Sequence, residues 1–246
     1  MKFGLILAGG LGKRMESPIP KVLHQINEKP MICYVIDTAF KVGCESIGII
    51  VGKYKSIIFE TIEKFYPNDL RINWINQEEP LGTGHAVFSS LEWMKANLPI
   101  ETDVLILSGD VPLISSHTLN KLMEKPNSIL TNKLENPHGY GRVLINLNTV
   151  QQIIEEKDCT LEEKKIDLVN CGIYSMKLSF LLEIIPQITN INVVQEYYLT
   201  DMVMLGYSKK YQINWYELPP TQSIEISNVN TKEELENIKK ILDLKN

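Results

Sequence analysis

The sequence predicts a doubly wound, mostly parallel α/β sheet carrying an antiparallel insertion. Three observations predict it. Apolar runs of strand length alternate with amphipathic helices through the first half. The first run, Phe3-Gly4-Leu5-Ile6-Leu7, is continuously apolar, as in a strand buried on both faces. The second half changes character and reads as hairpins. In order, Pro30 opens a helix with apolar Met31, Ile32, Val35, Ile36, Ala39 and Phe40, and Gly43 ends it. A strand over 46–51, a helix over 55–65 and a strand over 72–76 follow, then a helix from Thr83 to about Asn97 and a strand over 104–107. Ser115 or Ser116 caps a further helix. Short strands over 142–145 and 151–155 flank the turn Asn146-Leu147-Asn148 as an antiparallel hairpin. Beyond it come a strand over 168–176, a helix within 177–186, a helix over 197–207, a strand over 213–218 and a charged amphipathic helix over 231–244. Trp74, Trp93 and Trp215 read as core. With no internal repeat or low-complexity linker, residues 1–246 are expected to form one domain, with a first part over 1–135, a second part over 136–230 and a C-terminal helix from 231.

Composition narrows the function. The 246 residues are 44% hydrophobic and 22% charged, which excludes a disordered or fibrous chain. Lys and Arg number 25 against 30 Asp and Glu, a net charge of −5, so general nucleic-acid binding is not expected and any anion must be held by a local site. The four cysteines form no CxxC pair and read as reduced thiols, not as a disulfide framework or zinc knuckle. No signal peptide is visible, and no apolar run reaches the ~18 residues of a membrane span. A cytoplasmic protein with no membrane contact is expected.

In a doubly wound sheet, ligands sit at the carboxyl ends of the strands. Directly after the first strand stands Ala8-Gly9-Gly10-Leu11-Gly12-Lys13-Arg14-Met15. Its glycines let the backbone approach a ligand and aim N–H groups at phosphate oxygens, and Lys13, Arg14 and Lys21 add cations. A Walker loop fails, because Gly12-Lys13 is followed by Arg14 instead of Ser or Thr. A dinucleotide site fails, because the second strand ends Val51-Gly52-Lys53 without an acid for the ribose. The remaining alternative is a Gly-rich turn with solvated charges.

The segment Leu7–Met15 followed by Pro20-Lys21 resembles the signature of sugar-phosphate nucleotidyltransferases. Gln77 with Leu81-Gly82-Thr83-Gly84-His85-Ala86, Gly109-Asp110-Val111-Pro112-Leu113-Ile114, Gly139-Tyr140-Gly141-Arg142, Glu155-Glu156-Lys157-Asp158 and Glu196-Tyr197-Tyr198-Leu199-Thr200-Asp201 continue the likeness in order. The set resembles the uridylyltransferase domain of the bifunctional GlmU family along nearly the whole chain. The resemblance implies a Rossmann-like, GT-A-like fold with a sugar-side insertion. It also implies attack by N-acetylglucosamine-1-phosphate on the α-phosphorus of UTP, releasing pyrophosphate with the help of Mg²⁺. Such transfer rests on positioning and electrostatics, so no nucleophilic Ser or Cys is required.

By resemblance, Leu7, Ala8, Gly9, Gly10 and Gly12 cup the nucleotide, and Arg14 and Lys21 neutralise the triphosphate. Asp110 and Asn230 would hold the metal, an oxygen pair that suits Mg²⁺. Ser108 and Gly109 flank that site. Gln77, Gly82 and Thr83 would read the uracil, and Gly141, Glu155 and Asn170 the sugar. Each has a plainer alternative: Lys21 a solvated lysine, Asp110 a turn residue, Asn230 and Thr83 helix caps, Glu155 a surface charge. Tyr140 and Tyr197 either pack on the sugar or belong to the core, and His85 is a helix residue near the site. Two departures weaken the sugar assignment. Ser108 stands where bacterial relatives often have Tyr, and Asn192-Val193-Val194-Gln195-Glu196-Tyr197 lacks the family's usual glycine. The bifunctional relatives continue into an acetyltransferase β-helix. Here the sequence ends at Asn246, so neither that activity nor its trimer is expected, although another homo-oligomer is compatible. Competing readings are transfer to GalNAc-1-phosphate or Glc-1-phosphate, use of dTTP, a non-catalytic nucleotide-sugar sensor, or a glycosyltransferase, which usually needs Asp-x-Asp where Ser108-Gly109-Asp110 stands.

Overall fold

The computed structural model of the protein describes residues 1–10, 17, 19–229 and 231–243. Strand β1 (Lys2–Leu7) is buried along its centre. After a 3₁₀ turn at Lys21–Leu23, a small hairpin of β2 (Gln25–Ile26) and β3 (Lys29–Pro30) leads into α1 (Met31–Lys41). Pro30 therefore sits just before the helix, not within its first turn, and Gly43 ends the helix with φ of 94°. Then come β4 (Ser46–Val51), α2 (Lys55–Glu63), β5 (Ile72–Asn76), α3 (Thr83–Phe88), α4 (Leu91–Asn97), β6 (Asp103–Ser108) and α5 (Ser116–Leu122). The second half holds β7 (Ser128–Lys133), β8 (Arg142–Asn146), β9 (Thr149–Ile154), β10 (Leu168–Lys177), α6 (Leu178–Ile184), α7 (Asp201–Ser208), β11 (Asn214–Glu217) and α8 (Lys232–Asp243).

Nine strands form one sheet in the order β5-β4-β1-β6-β10-β7-β11, with β8 pairing β10 and carrying β9. Pairs β1–β4, β4–β5, β1–β6 and β7–β11 are parallel. Strand β10 runs antiparallel to both β6 and β7, and β8–β9 is an antiparallel hairpin. From β1 the chain builds outward first to β4 and β5, then on the other side to β6. That reversal opens a crevice at the carboxyl ends of β1 and β6.

Alternate side chains of each strand feed two cores. Phe3, Leu5, Ile106, Ile129 and Met176 meet Val87 and Met94 of the α3–α4 pair, Phe180 of α6 and Met202 of α7. Ile6, Ile47, Ile49, Leu107 and Leu130 on the other face meet α1, α2 and α5 through Ile32, Ile36, Ile58, Ile62 and Leu119. A smaller cluster seats Leu235 and Ile238 of α8 on Ile26, Met31, Leu113 and Val229. The three tryptophans are partly buried against these cores, and Trp93 stacks on Phe3 at 5.5 Å. All four cysteines are free thiols. Among the described residues no helix is long and apolar enough to cross a membrane.

Local chemistry explains where the expected elements shift. The single helix expected from Thr83 to Asn97 breaks at Ser89-Ser90, whose hydroxyls donate to the carbonyls of His85 (2.9 Å) and Val87 (2.6 Å). Ser115 is the cap of α5, accepting from the Thr118 N–H at 3.1 Å. Helix α7 starts at Asp201, not at Tyr197, because residues 197–199 bond elsewhere. Strand β7 has no counterpart in the sequence reading.

Candidate active site

The carboxyl ends of the central strands are tied together by backbone hydrogen bonds. The Ala8 N–H donates to Ile50 O (2.9 Å), Gly109 N–H to Leu7 O (3.0 Å) and Gln77 N–H to Val51 O (2.7 Å). Leu7 to Gly10, Gln77 and Ser108 to Asp110 thus share one rim. Gln77 is buried, and its Oε1 lies 3.0 Å from where a Cβ on Gly9 would sit, so the amide lies over that glycine. Its Nε2 donates to Gly82 O at 3.2 Å and stands 3.3 Å from His85 Nδ1. The His85 ring packs beside Tyr197, as a helix residue bordering the rim.

Asp110 has both carboxylate oxygens engaged. Lys21 Nζ pairs with Oδ2, and Ser108 Oγ donates to Oδ1 at 2.6 Å. The Val229 N–H donates to Asp110 O at 3.3 Å, which brings Val229 to the same place. A Cβ on Gly109 would be tight, lying 3.1 Å from Val22 Cγ1 and 3.2 Å from Leu7 O. Gly12, Arg14 and Asn230 lie outside the described residues.

The hairpin and β10 gather a second group. Asn170 N–H donates to Gly141 O at 2.9 Å. A register shift in β10 between Asn170 and Tyr174, with Gly172 at φ of 70°, re-aims Asn170. The Asn170 amide is then fixed at both ends, Nδ2 donating to Tyr174 Oη (2.8 Å) and Oδ1 accepting from Gly172 N–H (3.2 Å). A Cβ on Gly141 would lie 2.9 Å from Ile153 Cγ2 and 3.5 Å from Glu155 Oε2. Glu155 is no solvated surface acid, for burial pushes its carboxyl above the usual range while the Thr200 hydroxyl, donating to Oε1 at 2.8 Å, pulls it down. Glu155 also lines a cavity of about 340 Å³ between β9 and α7, shared with Asp158, Tyr198 and Asp201.

Three sets of contacts were not legible in the motifs that contain them. One is the strap 197–200. Tyr197 N–H donates to Leu81 O (2.9 Å), Gly84 N–H to Tyr197 O (2.7 Å) and Leu199 N–H to Thr83 Oγ1 (3.1 Å). Thr83 therefore serves the strap and does not cap its own helix. Another is Thr200, and the last is Arg142, fully buried between Glu156 and the carbonyls of Tyr140 and Lys164. The missing loop glycine is also accounted for. Gln195 takes its place in the left-handed region at φ of 57°, and Asp158 Oδ1 holds the loop by accepting from Val193 N–H at 3.1 Å.

Residues 4–155, more than half of the chain, match the family described as the MobA-like NTP transferase domain. The chain belongs to that family. This nucleotidyltransferase is 43% identical to the probable UDP-N-acetylglucosamine pyrophosphorylase of Acanthamoeba polyphaga mimivirus, over 96% of this chain and 94% of that protein. It is also 43% identical to the bifunctional protein GlmU of Thermosipho melanesiensis, over 96% of this chain but 49% of that protein. The chain thus spans nearly all of the first relative and about half of the second. Its fold matches a solved UDP-glucose pyrophosphorylase complexed with UDP-glucose at a TM-score of 0.74, with 18% identity and full coverage of both chains.

A divalent metal is general in such transferases, and the donor set here fits one. Asp110 offers a hard carboxylate just past a strand end, already holding a cation in Lys21, with Val229 bonded to its backbone carbonyl. Among the described residues no group of three His, Cys, Asp or Glu could hold a metal.

Two predictions arise from this geometry. Gly82 has φ of 121°, and a Cβ there would lie 2.5 Å from Tyr197 O. Gly82→Ala should destabilise the transferase by about 2 kcal/mol or more and weaken nucleotide use, read by thermal melting and KM. Asp201 is raised from the ordinary 3.8 to about 6 by burial first, then by Glu155 and Asp158. The folded state then keeps this proton where the unfolded state has lost it, so stability falls as pH rises from about 4 to about 6. Solvent screening at a part-exposed site leaves about 1 kcal/mol of that effect. Denaturation across this window should show Asp201→Asn gaining that much on wild type toward high pH.

Proposed function

We propose that this transferase is an N-acetylglucosamine-1-phosphate uridylyltransferase, forming UDP-N-acetylglucosamine and pyrophosphate from UTP and the sugar phosphate with Mg²⁺. One observation carries the reading. Across the sheet, Gln77 lies beyond β5 at one side, Gly9, Gly10 and Asp110 lie beyond β1 and β6 at the centre, and at the other side Asn170 lies in β10 while Gly141 and Glu155 adjoin the ends of β8 and β9. Base, phosphates and sugar follow one another in that order in the product. The mimivirus relative, matched along nearly its whole length, supports the same reaction.

In this reading the chain works by positioning. Gly9 and Gly10 let backbone N–H groups approach the nucleotide, and the amide of Gln77 meets the uracil edge. Arg14 and Lys21 neutralise the triphosphate, Arg14 as a planar fork and Lys21 as a point charge. Asp110 and Asn230 would hold the Mg²⁺, which would offset charge on the phosphates. Ser108 keeps the Asp110 carboxylate turned toward the rim. Glu155 accepts from the sugar, and Asn170, clamped by Tyr174 and Gly172, presents its amide to it. Gly82 and Thr83 hold the base-side loop against the strap.

Pyrophosphate release with Mg²⁺, UTP and a panel of GlcNAc-1-phosphate, GalNAc-1-phosphate and Glc-1-phosphate tests the reading. Preference for GlcNAc-1-phosphate is expected. Preference for another sugar would keep the transfer and move the specificity, and silence with all three would favour a non-catalytic sensor. Lys21→Ala should raise the KM for UTP by about 10- to 100-fold with little change in melting temperature, the scale of one lost charge-assisted contact.

A further inference from the structure

We propose that Thr200 is a positioning residue for Glu155: it ties down one carboxylate oxygen and leaves the other, on the Gly141 side, to meet the sugar. The inference rests on the reading of Glu155 as a sugar acceptor. Thr200 Oγ1 donates to Glu155 Oε1 at 2.8 Å, whereas Oε2 faces the α-carbon of Gly141. Thr200 is only 4% exposed, so its hydroxyl has little freedom to turn elsewhere. Its backbone is fixed from both sides. The Val203 N–H donates to Thr200 O at 3.1 Å, and the preceding residues are strapped to the loop 81–84. A carboxylate on a flexible stem, reached by one short hydroxyl from a rigid segment, is set in one rotamer instead of sampling several.

The charge around Glu155 makes this contact matter. The titratable groups facing it are Asp158 from the segment after β9, Asp201 from α7, Tyr198 from the strap and Tyr174 from β10. Burial and Asp158 favour a proton on Glu155, and the Thr200 hydrogen bond opposes it. Removing the hydroxyl therefore does two things at once. It frees the side chain, and it lets Glu155 keep a proton to higher pH, so that it loses acceptor strength toward sugar hydroxyl and amide groups.

Thr200→Val keeps the shape and deletes the donor, and Thr200→Ser keeps the donor. The experiment measures KM for GlcNAc-1-phosphate and for UTP separately from pH 6 to 9. It also follows the Glu155 carboxyl by ¹³C NMR titration, assigned with Glu155→Gln. The expected result for Thr200→Val is a sugar-phosphate KM about tenfold higher, with the larger loss at the acid end of the range, and KM for UTP within about twofold. Thr200→Ser restores the wild-type profile, and the Glu155 pKa rises in the valine variant only. An unchanged Glu155 pKa in a folded Thr200→Val protein overturns the positioning role, whatever the substrate. A pH-independent loss that raises both KM values alike does so too, since it marks a merely structural role. A raised Glu155 pKa in the variant, with a wild-type protein that ignores every sugar phosphate, upholds the positioning and overturns the uridylyltransferase reading instead.

Discussion

Asp110→Asn lowers turnover by more than about a hundredfold and leaves the melting temperature nearly unchanged. The first half follows from its place. Changes to residues that merely support a metal ligand cost about 10- to 100-fold, so altering the one carboxylate of the rim's candidate metal site costs more. The second half follows from its neighbours. Asparagine keeps an oxygen for the Ser108 hydroxyl, and the Asp110 backbone carbonyl still accepts from Val229 N–H. Lys21 loses a partner at a position where its side chain is 14% exposed, so water can replace the carboxylate. Steady-state kinetics with a melting curve check both halves. Near-normal turnover would show that Asp110 is an ordinary turn residue with a lysine partner.

Arg142→Met should produce the largest loss of stability, about 3–5 kcal/mol, or roughly 10 °C in melting temperature. Its side chain is 2% exposed, pairs with Glu156 at 2.6 Å and donates to the carbonyls of Tyr140 and Lys164. Methionine fills the volume but leaves Glu156 without its cation and two carbonyls without a donor. The double variant Arg142→Met/Glu156→Gln should recover part of the loss, because the stranded charge goes too. By contrast, Lys165→Ala removes the exposed pair with Glu162 and should change stability by less than about 1 kcal/mol. Because Arg142 spans the backbone on either side of Gly141, surviving Arg142→Met enzyme should lose affinity for the sugar phosphate more than for UTP.

The legible parts of this fold are those whose signal is local. Strands β1, β4 and β6 are continuous apolar runs, and the turn at Asn146-Leu147-Asn148 carries Leu147 at φ of 52° between β8 and β9. Strand β7 was silent because only Ile129 and Leu130 of its residues are apolar, while buried Thr131 and Asn132 owe their environment to β10 and β11 on either side. The strap 197–200 looks helical by periodicity, yet the N–H groups of Tyr197 and Leu199 go to partners more than a hundred residues earlier. The candidate site divides the same way. That ligand residues belong at strand ends could be read from the alternation alone, which pointed to the glycine loop, Gln77 and Asp110. The contacts between Lys21 and Asp110, and between Thr200 and Glu155, join distant segments and became visible only in the fold. Arg142 belongs to one of the motifs, but its burial was not legible, because its partners Glu156 and the Lys164 carbonyl lie elsewhere in the chain and meet it only in the fold.

The most direct test of the account is the fate of label from UTP carrying ³²P at the α-phosphate, incubated with Mg²⁺ and GlcNAc-1-phosphate. Attack at the α-phosphorus places all the label in UDP-N-acetylglucosamine, with an equal amount of unlabelled pyrophosphate, and Asp110→Asn lowers both by the same large factor. Label in UMP without any nucleotide sugar, or no conversion by a folded protein, would contradict it.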